Sequence, residues 1–287
     1  MRPTSTPGHS MPITFAIAAV LSAAAPTPSA GPVIAAEYGF AADAQRIGVR
    51  RAFLAHFDAE SWLFRPQPVP ALAALARDPD DGSPLEWTPE IAGISASGDM
   101  GFTSGPWSAH APGVENMAHG HFLTIWKRGE DGIWRVQVDG GIGHPPLERP
   151  TGEVKVVAFG AASTALLGTD DLAKRRSALE KSDDELRAAL VRPRSEAAST
   201  WSRFADAEWR VLRKGHTLTE GPAAATLAAE DAAELGTAAR RALDVAVSGD
   251  LAYTIGGNAD CKPCGSYFRI WRWNDQGWRL VIDLEKP

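Results

Sequence analysis

The sequence predicts an α+β protein in which one small unit, made of a helix, a short strand, a short helix and long hairpins, occurs twice. Three observations carry this. The chain has 287 residues, room for about two domains at roughly 150 residues each. Each half opens on a helical pattern and continues as strands. And Ile94-Ser95-Ala96-Ser97-Gly98-Asp99-Met100-Gly101-Phe102-Thr103-Ser104-Gly105 matches Val245-Ala246-Val247-Ser248-Gly249-Asp250-Leu251-Ala252-Tyr253-Thr254-Ile255-Gly256 at a constant offset of 151 (248 minus 97). A second block follows in order: Ile125-Trp126-Lys127 with Ile270-Trp271-Arg272, Trp134-Arg135 with Trp278-Arg279, and Asp139 with Asp283. Chance could supply one such block but hardly both in sequence.

The elements read as follows. Phe40, Ile47, Phe53, Leu54 and Phe57 recur at helical spacing and predict a helix over 37–58. Ser61-Trp62-Leu63-Phe64 is a short strand stopped by Pro66 and Pro68, and 71–76 is a short helix. Residues 78–84 form a loop by composition. Strands are predicted over 85–96, 100–107, 121–128 and 133–139, with turns at Ser97-Gly98-Asp99 and Gly129-Glu130-Asp131-Gly132. Asp99 and Asp250 belong to such turns and read as structural. Residues 148–168 are a linker with one strand, 154–159. The second half begins with a helix over 170–190, interrupted by Pro193 and resumed over 195–204. A strand at 208–212, a loop at Lys214-Gly215-His216, a helix over 223–229 and a strand at 267–272 follow. The expected organisation is 1–36 leader, 37–147 first domain, 148–168 linker and 169–287 second domain.

The leader has its own character. From Met1 to Ala36 the only formal charge is Arg2, followed by the apolar run Ile13 to Leu21 and then small residues and prolines. This is the layout of a secretory signal, with cleavage after Ala24, Ala35 or Ala36, and it predicts export to the periplasm or beyond. The apolar run falls short of the ~20 residues a bilayer-spanning helix needs, and no longer one follows, so no membrane association is expected once the leader is removed. Net charge is −6, and the nearest thing to a basic run, Lys174-Arg175-Arg176, sits among acids, which argues against nucleic acid as a partner.

The helix ending Phe53-Leu54-Ala55-His56-Phe57, then Leu63-Phe64-Arg65-Pro66, Ser97-Gly98-Asp99, Thr103-Ser104-Gly105-Pro106-Trp107, Gly120-His121-Phe122-Leu123-Thr124-Ile125-Trp126 and Gly132-Ile133-Trp134-Arg135 together resemble the SnoaL-like branch of the nuclear transport factor 2-like superfamily. Residues 37–147 carry the resemblance well; 169–287 keep its hairpins with a more divergent helical part. The resemblance implies two cone-shaped units, each a curved, mostly antiparallel sheet wrapped on a long N-terminal helix around a pocket. It also implies pairing through the sheets, here as a pseudo-dimer within one chain. It leaves the activity open, because function lives in the site and not the fold.

His121 and Asp139 are the expected acid–base pair, on neighbouring strands, with the alternative that His121 is a hydrogen-bonded core residue and Asp139 caps a turn before Gly140-Gly141. Trp62, Trp107, His119 and Gln137 are the expected binding residues of the first pocket, and Arg213, Tyr253, Arg269 and Asp283 those of the second. Cys261 and Cys264, the only cysteines, read as a local disulfide pinning a hairpin loop; a redox pair or half a zinc site are the alternatives. No metal or cofactor is expected. Nucleophile elbow, phosphate loop, zinc-protease helix and dinucleotide fingerprint are all missing from the sequence. Three functions remain: a protein binding a small apolar molecule, an isomerase or dehydratase, or a non-catalytic scaffold.

Overall fold

A computed structural model describes residues 29–78, 82–110, 117–146, 152–157, 166–191, 194–230, 237–258 and 265–286. The first half runs α1 (Gly31–Ile47), α2 (Val49–His56), β1 (Phe57–Phe64), β2 (Pro68–Pro70), α3 (Ala71–Leu75), β3 (Leu85–Trp87), β4 (Ile91–Ile94), β5 (Met100–Ala109), β6 (Ala118–Arg128), β7 (Trp134–Gly143) and β8 (Lys155–Val157). The second runs α4 (Thr169–Leu190), α5 (Arg194–Phe204), β9 (Ala205–Leu212), β10 (Thr219–Glu220), α6 (Gly221–Ala228), β11 (Ala239–Val245), β12 (Leu251–Gly257), β13 (Ser266–Asn274) and β14 (Gly277–Lys286). The α+β class holds: there are two sheets, each backed by helices.

Both sheets share one strand order. The first is β2-β1-β7-β6-β5-β4-β8 with β3 also on β5; the second is β10-β9-β14-β13-β12-β11. In each, a parallel pair joins the first strand to the last long one, β1 with β7 and β9 with β14, and the first sheet has a second parallel pair at its β4–β8 edge; the other pairs are antiparallel. Even the register irregularities correspond: Ile125/Trp126 against Ile270/Trp271, and Phe57/Trp62 against Leu280/Ile282 on the strand pairs that join β1 to β7 and β9 to β14. Such bulges bend a strand and raise its twist.

Several elements differ from expectation. The first helix is two, broken at Gly48, whose φ of 88° suits glycine. The strand expected over 85–96 is split at Thr88-Pro89-Glu90, where Pro89 has no N–H to donate, and both pieces pair with β5. Helix α1 starts at Gly31, inside the expected leader, and Ala30 and Val33 are buried, so a chain cut after Ala35 or Ala36 would lose its first turn. Strand β8 comes from the expected linker and extends the first sheet in parallel with β4.

Each sheet packs one face on helices. On α1 the buried positions are Val33, Glu37, Phe40 and Ala44; on α4 they are Leu179, Asp183, Leu186 and Leu190. These are i, i+4, i+7, i+11 stripes, and in both the second member is an acid. The α1 stripe joins Leu63, Trp126 and Val136; the α4 stripe joins Tyr267, Trp271 and Trp278.

The other faces of the two sheets pack on each other. A single core contains Phe102, Leu123, Ile125 and Val138 of the first sheet with Leu251, Ile255, Phe268 and Ile282 of the second. Phe64 stacks on Phe268, with ring centroids 5.8 Å apart. At one edge the two Ser-Gly-Asp turns bond reciprocally. Asp250 Oδ2 accepts from Ala96 N–H at 2.9 Å, Asp99 Oδ2 accepts from Val247 N–H at 3.1 Å, and the Ser97 and Ser248 hydroxyls meet at 2.8 Å. Both turns place a glycine at positive φ, 68° at Gly98 and 70° at Gly249.

Asp250 is 1% exposed, whereas Asp99 is half-buried. Replacing Asp250 by Ala orphans the buried Ala96 N–H and removes the Ser248 hydroxyl's bond to Asp250, and should cost about 2–3 kcal/mol. Asp99→Ala should cost less. Urea denaturation followed by Trp fluorescence measures both; equal, negligible losses would contradict the role given to these turns.

Candidate functional site

The helix-facing side of the first sheet holds a cavity of about 300 Å³. Strand alternation aims Trp107 of β5, Phe122 of β6 and Asp139 of β7 into it. Phe40 and Phe53 descend from α1 and α2, Trp87 enters from β3, and Phe64 and Arg65 close the β1 end. Two glycines make room for Trp107. A Cβ on Gly120 would lie 2.5 Å from its ring, and one on Gly141 3.2 Å from its Nε1. Asp139 supplies the cavity's carboxylate, held by the Thr124 hydroxyl, which donates to Oδ2 at 2.9 Å.

Behind this wall lies Glu37, fully buried. Trp87 Nε1 donates to its Oε1 at 2.6 Å; Trp126 Nε1 and the Thr103 hydroxyl donate to Oε2 at 2.8 and 2.5 Å. Burial lifts its pKa from 4.5 to about 7, against these three hydrogen bonds and with help from the Asp139 charge.

The second half repeats the scaffold and fills the space. Asp183 stands where Glu37 stands, and accepts from Thr254 Oγ1 at 3.1 Å; Trp271 Nε1 donates to Thr254 at 3.0 Å. But Tyr267 replaces Phe122, Arg269 replaces Thr124, and Glu285 replaces Gly141, as the strand pairings align them. Arg269 bridges Asp183 (2.8 Å) and Asp283 (2.9 Å); Arg213 reaches Asp283 (2.5 Å) and Glu285 (3.1 Å); Tyr267 donates to Asp183 at 2.8 Å. All these groups are buried. Burial opposes the Arg269 charge, yet Asp183 and Asp283 together hold its pKa above the ordinary value. Removing one partner from such a set leaves an uncompensated charge. A largely aromatic cavity wall in one half is thus a packed ion network in the other.

The expected site residues divide accordingly. Trp107 and Asp139 line the first cavity. Arg213, Arg269 and Asp283 do meet, as the network just described. Tyr253 does not join them: it lies with Leu251 and Ile255 in the core between the sheets, on the opposite face of β12. Trp62 also packs against that core, and Gln137, at the bulge of β7, donates to Glu60 O at 2.9 Å. Cys261 and Cys264 lie outside the described residues.

His121 and Asp139 do not form a pair. Asp139 is opposite Thr124, while His121 is opposite Ile142, so the two side chains leave opposite faces of the sheet. His121 instead links Glu90 and His144. Its Nε2 lies 3.0 Å from Glu90 Oε1 and its Nδ1 2.7 Å from His144 Nε2, while His144 Nδ1 donates to Pro145 O at 2.6 Å. Burial, ahead of the charges of His121 and His119, keeps His144 below the ordinary histidine pKa, hence neutral with Nε2 as acceptor. His121 Nδ1 must then donate to it. His119 is half-buried beside this chain, and its carbonyl accepts from His144 N–H at 3.0 Å. Among the described residues no group of three or more His, Cys, Asp or Glu is arranged to hold a metal ion.

Neither a family model nor a curated protein matches the chain. Solved structures do. An NTF2-like protein of unknown function from Shewanella oneidensis is 15% identical over 39% of this chain and 96% of its own, with TM-score 0.33. An NTF2-like superfamily protein from Salmonella enterica is 12% identical over 44% of this chain and 96% of its own, with TM-score 0.33. A putative ketosteroid isomerase from Shewanella frigidimarina is 17% identical over 39% and 93%, with TM-score 0.27.

Between pH 4.5 and about 7 the folded protein retains the Glu37 proton that the unfolded chain releases. The associated stability is fully present below pH 4.5 and is lost as pH rises to about 7, amounting to about 3 kcal/mol. Denaturation midpoints across that range should fall in the wild type and flatten in Glu37→Gln. Asp139→Asn should shift the fall to lower pH, because one of the charges raising the Glu37 pKa is gone.

Proposed function

We propose that the chain is a two-unit protein of the nuclear transport factor 2-like superfamily whose first unit binds a small apolar molecule, and whose second unit is its structural partner in an intra-chain pseudo-dimer. One observation carries the reading. Six aromatic side chains, Phe40, Phe53, Phe64, Trp87, Trp107 and Phe122, surround a cavity, whereas the second half places buried Tyr267 and Arg269 at the positions of Phe122 and Thr124. Concave, mostly apolar sites with few polar groups are where small ligands bind. The reciprocal Ser-Gly-Asp turns and the shared core support the pseudo-dimer. The basic start and apolar run of the leader support export. Of the three expected cleavage points, only Ala24 precedes the buried Ala30 and Val33.

The neutral fluorophore N-phenylnaphthylamine tests the binding site. It should bind once per chain. Ala109→Trp, which places an indole at the cavity mouth, should weaken it at least about tenfold, the scale of losing one well-packed apolar group. Unchanged binding in Ala109→Trp would place the probe elsewhere.

A second reading, isomerase-type proton transfer, rests on the Asp139 carboxylate inside an apolar cavity. Here Asp139 acts as a general base without His121. Turnover of a β,γ-unsaturated cyclic ketone that falls about 100-fold or more in Asp139→Asn would establish it; equal rates in both proteins would end it.

A further inference from the structure

The two halves hold the same arginine in different company. Arg65 ends β1 as Arg213 ends β9: one Nη1 donates to Phe64 O at 3.1 Å, the other to Leu212 O at 3.2 Å. Arg213 is buried and bound by two carboxylates, Asp283 and Glu285. In the first half the place of Asp283 is kept by Asp139, but the place of Glu285 is taken by Gly141, opposite Phe122 as Glu285 is opposite Tyr267. Arg65 and Gly141 both line the aromatic cavity. The only ion pair of Arg65 among the described residues is with Asp78, 3.5 Å away and, like Arg65 itself, well exposed to water, a pairing of little worth.

Arg65 also faces a second, outer cavity of about 370 Å³, which adjoins the first through Phe53, Arg65, Leu85 and Ala109. Its charged lining is Arg50, Arg65 and Asp78. Arg50 donates its Nε to Leu75 O at 2.9 Å and makes no ion pair among the described residues. Arg65 is thus the charged side chain common to both cavities.

We propose that the ligand of the first cavity is an apolar carboxylic acid. Its ring system fills the aromatic chamber, and its carboxylate binds Arg65 over Gly141, in the place that Glu285 occupies beside Arg213. A carboxylate on guanidinium gives the strong, geometrically specific form of hydrogen bond. In the second half Arg213 meets both Asp283 and Glu285, with Arg269 also bonded to Asp283, so an arginine at this position can take a second carboxylate beside the conserved aspartate. Arg50 adds attraction from the outer side. This inference rests on the cavity being a ligand site.

Titration calorimetry on the full chain at neutral pH, with naphthylacetate and its neutral analogue naphthylethanol, tests it. The acid should bind about tenfold or more tighter than the alcohol. Arg65→Gln, at an exposed side chain, should remove about that factor for the acid and leave the alcohol unchanged; Arg50→Gln should act in the same sense and less. Equal binding of the two probes, or equal weakening of both by Arg65→Gln, would overturn the acid assignment. Binding of the alcohol alone would overturn it too and leave the cavity as an apolar site. Failure of both probes to bind would overturn the acid assignment and the binding reading together.

Discussion

The packing of one sheet against the other constrains everything else in this molecule. A sheet has two faces, and a side chain on one cannot serve the other. Once Leu123, Ile125 and Val138 are committed to the core shared with Phe268 and Ile282, their neighbours Phe122, Thr124 and Asp139 must turn toward the helices. That side is where a cavity can form. The central core thus orients both halves, and the two Ser-Gly-Asp turns pin its edge through bonds from each half to the other.

On the helix side, one scaffold gives two outcomes. A carboxylate on the helix, a threonine on one strand and a tryptophan on the next recur as Glu37, Thr103 and Trp126 and as Asp183, Thr254 and Trp271. In the first set burial pushes the Glu37 pKa to about 7, and aromatic rings beside it leave a space. The second set attracts arginines, because the shorter Asp183 carboxylate leaves its oxygens to Arg269 and Tyr267. Once Arg269 is present, Asp283, Arg213 and Glu285 complete a buried network, whose members satisfy each other's charge. The open and filled interiors differ at the positions of Phe122, Thr124 and Gly141, among others.

The histidine chain belongs to neither interior. Glu90, His121, His144 and the Pro145 carbonyl fix an order of protons in which each nitrogen has one role. It stands beside Gly143, whose carbonyl accepts from Gly215 N–H of the second half at 2.7 Å. Its surroundings are those of a polar cluster holding the end of β7.

The sequence by itself determined the α+β class and the repeated Ser-Gly-Asp turn, because helical and strand periodicity and turn chemistry are local properties. It also held the matching helix stripes Val33-Glu37-Phe40-Ala44 and Leu179-Asp183-Leu186-Leu190, legible once an acid is allowed within an apolar face. The tertiary structure alone decided which face of each strand was the cavity. Register bulges at Trp126 and Trp271 and the pairing of whole sheets set that parity, and no window of residues encodes it. Hence Trp107 and Asp139 line the cavity while His121, Trp62 and Tyr253 lie on the other face of their strands. Glu37 and Glu285 acquire their meaning only from partners dozens of residues away, brought near by folding.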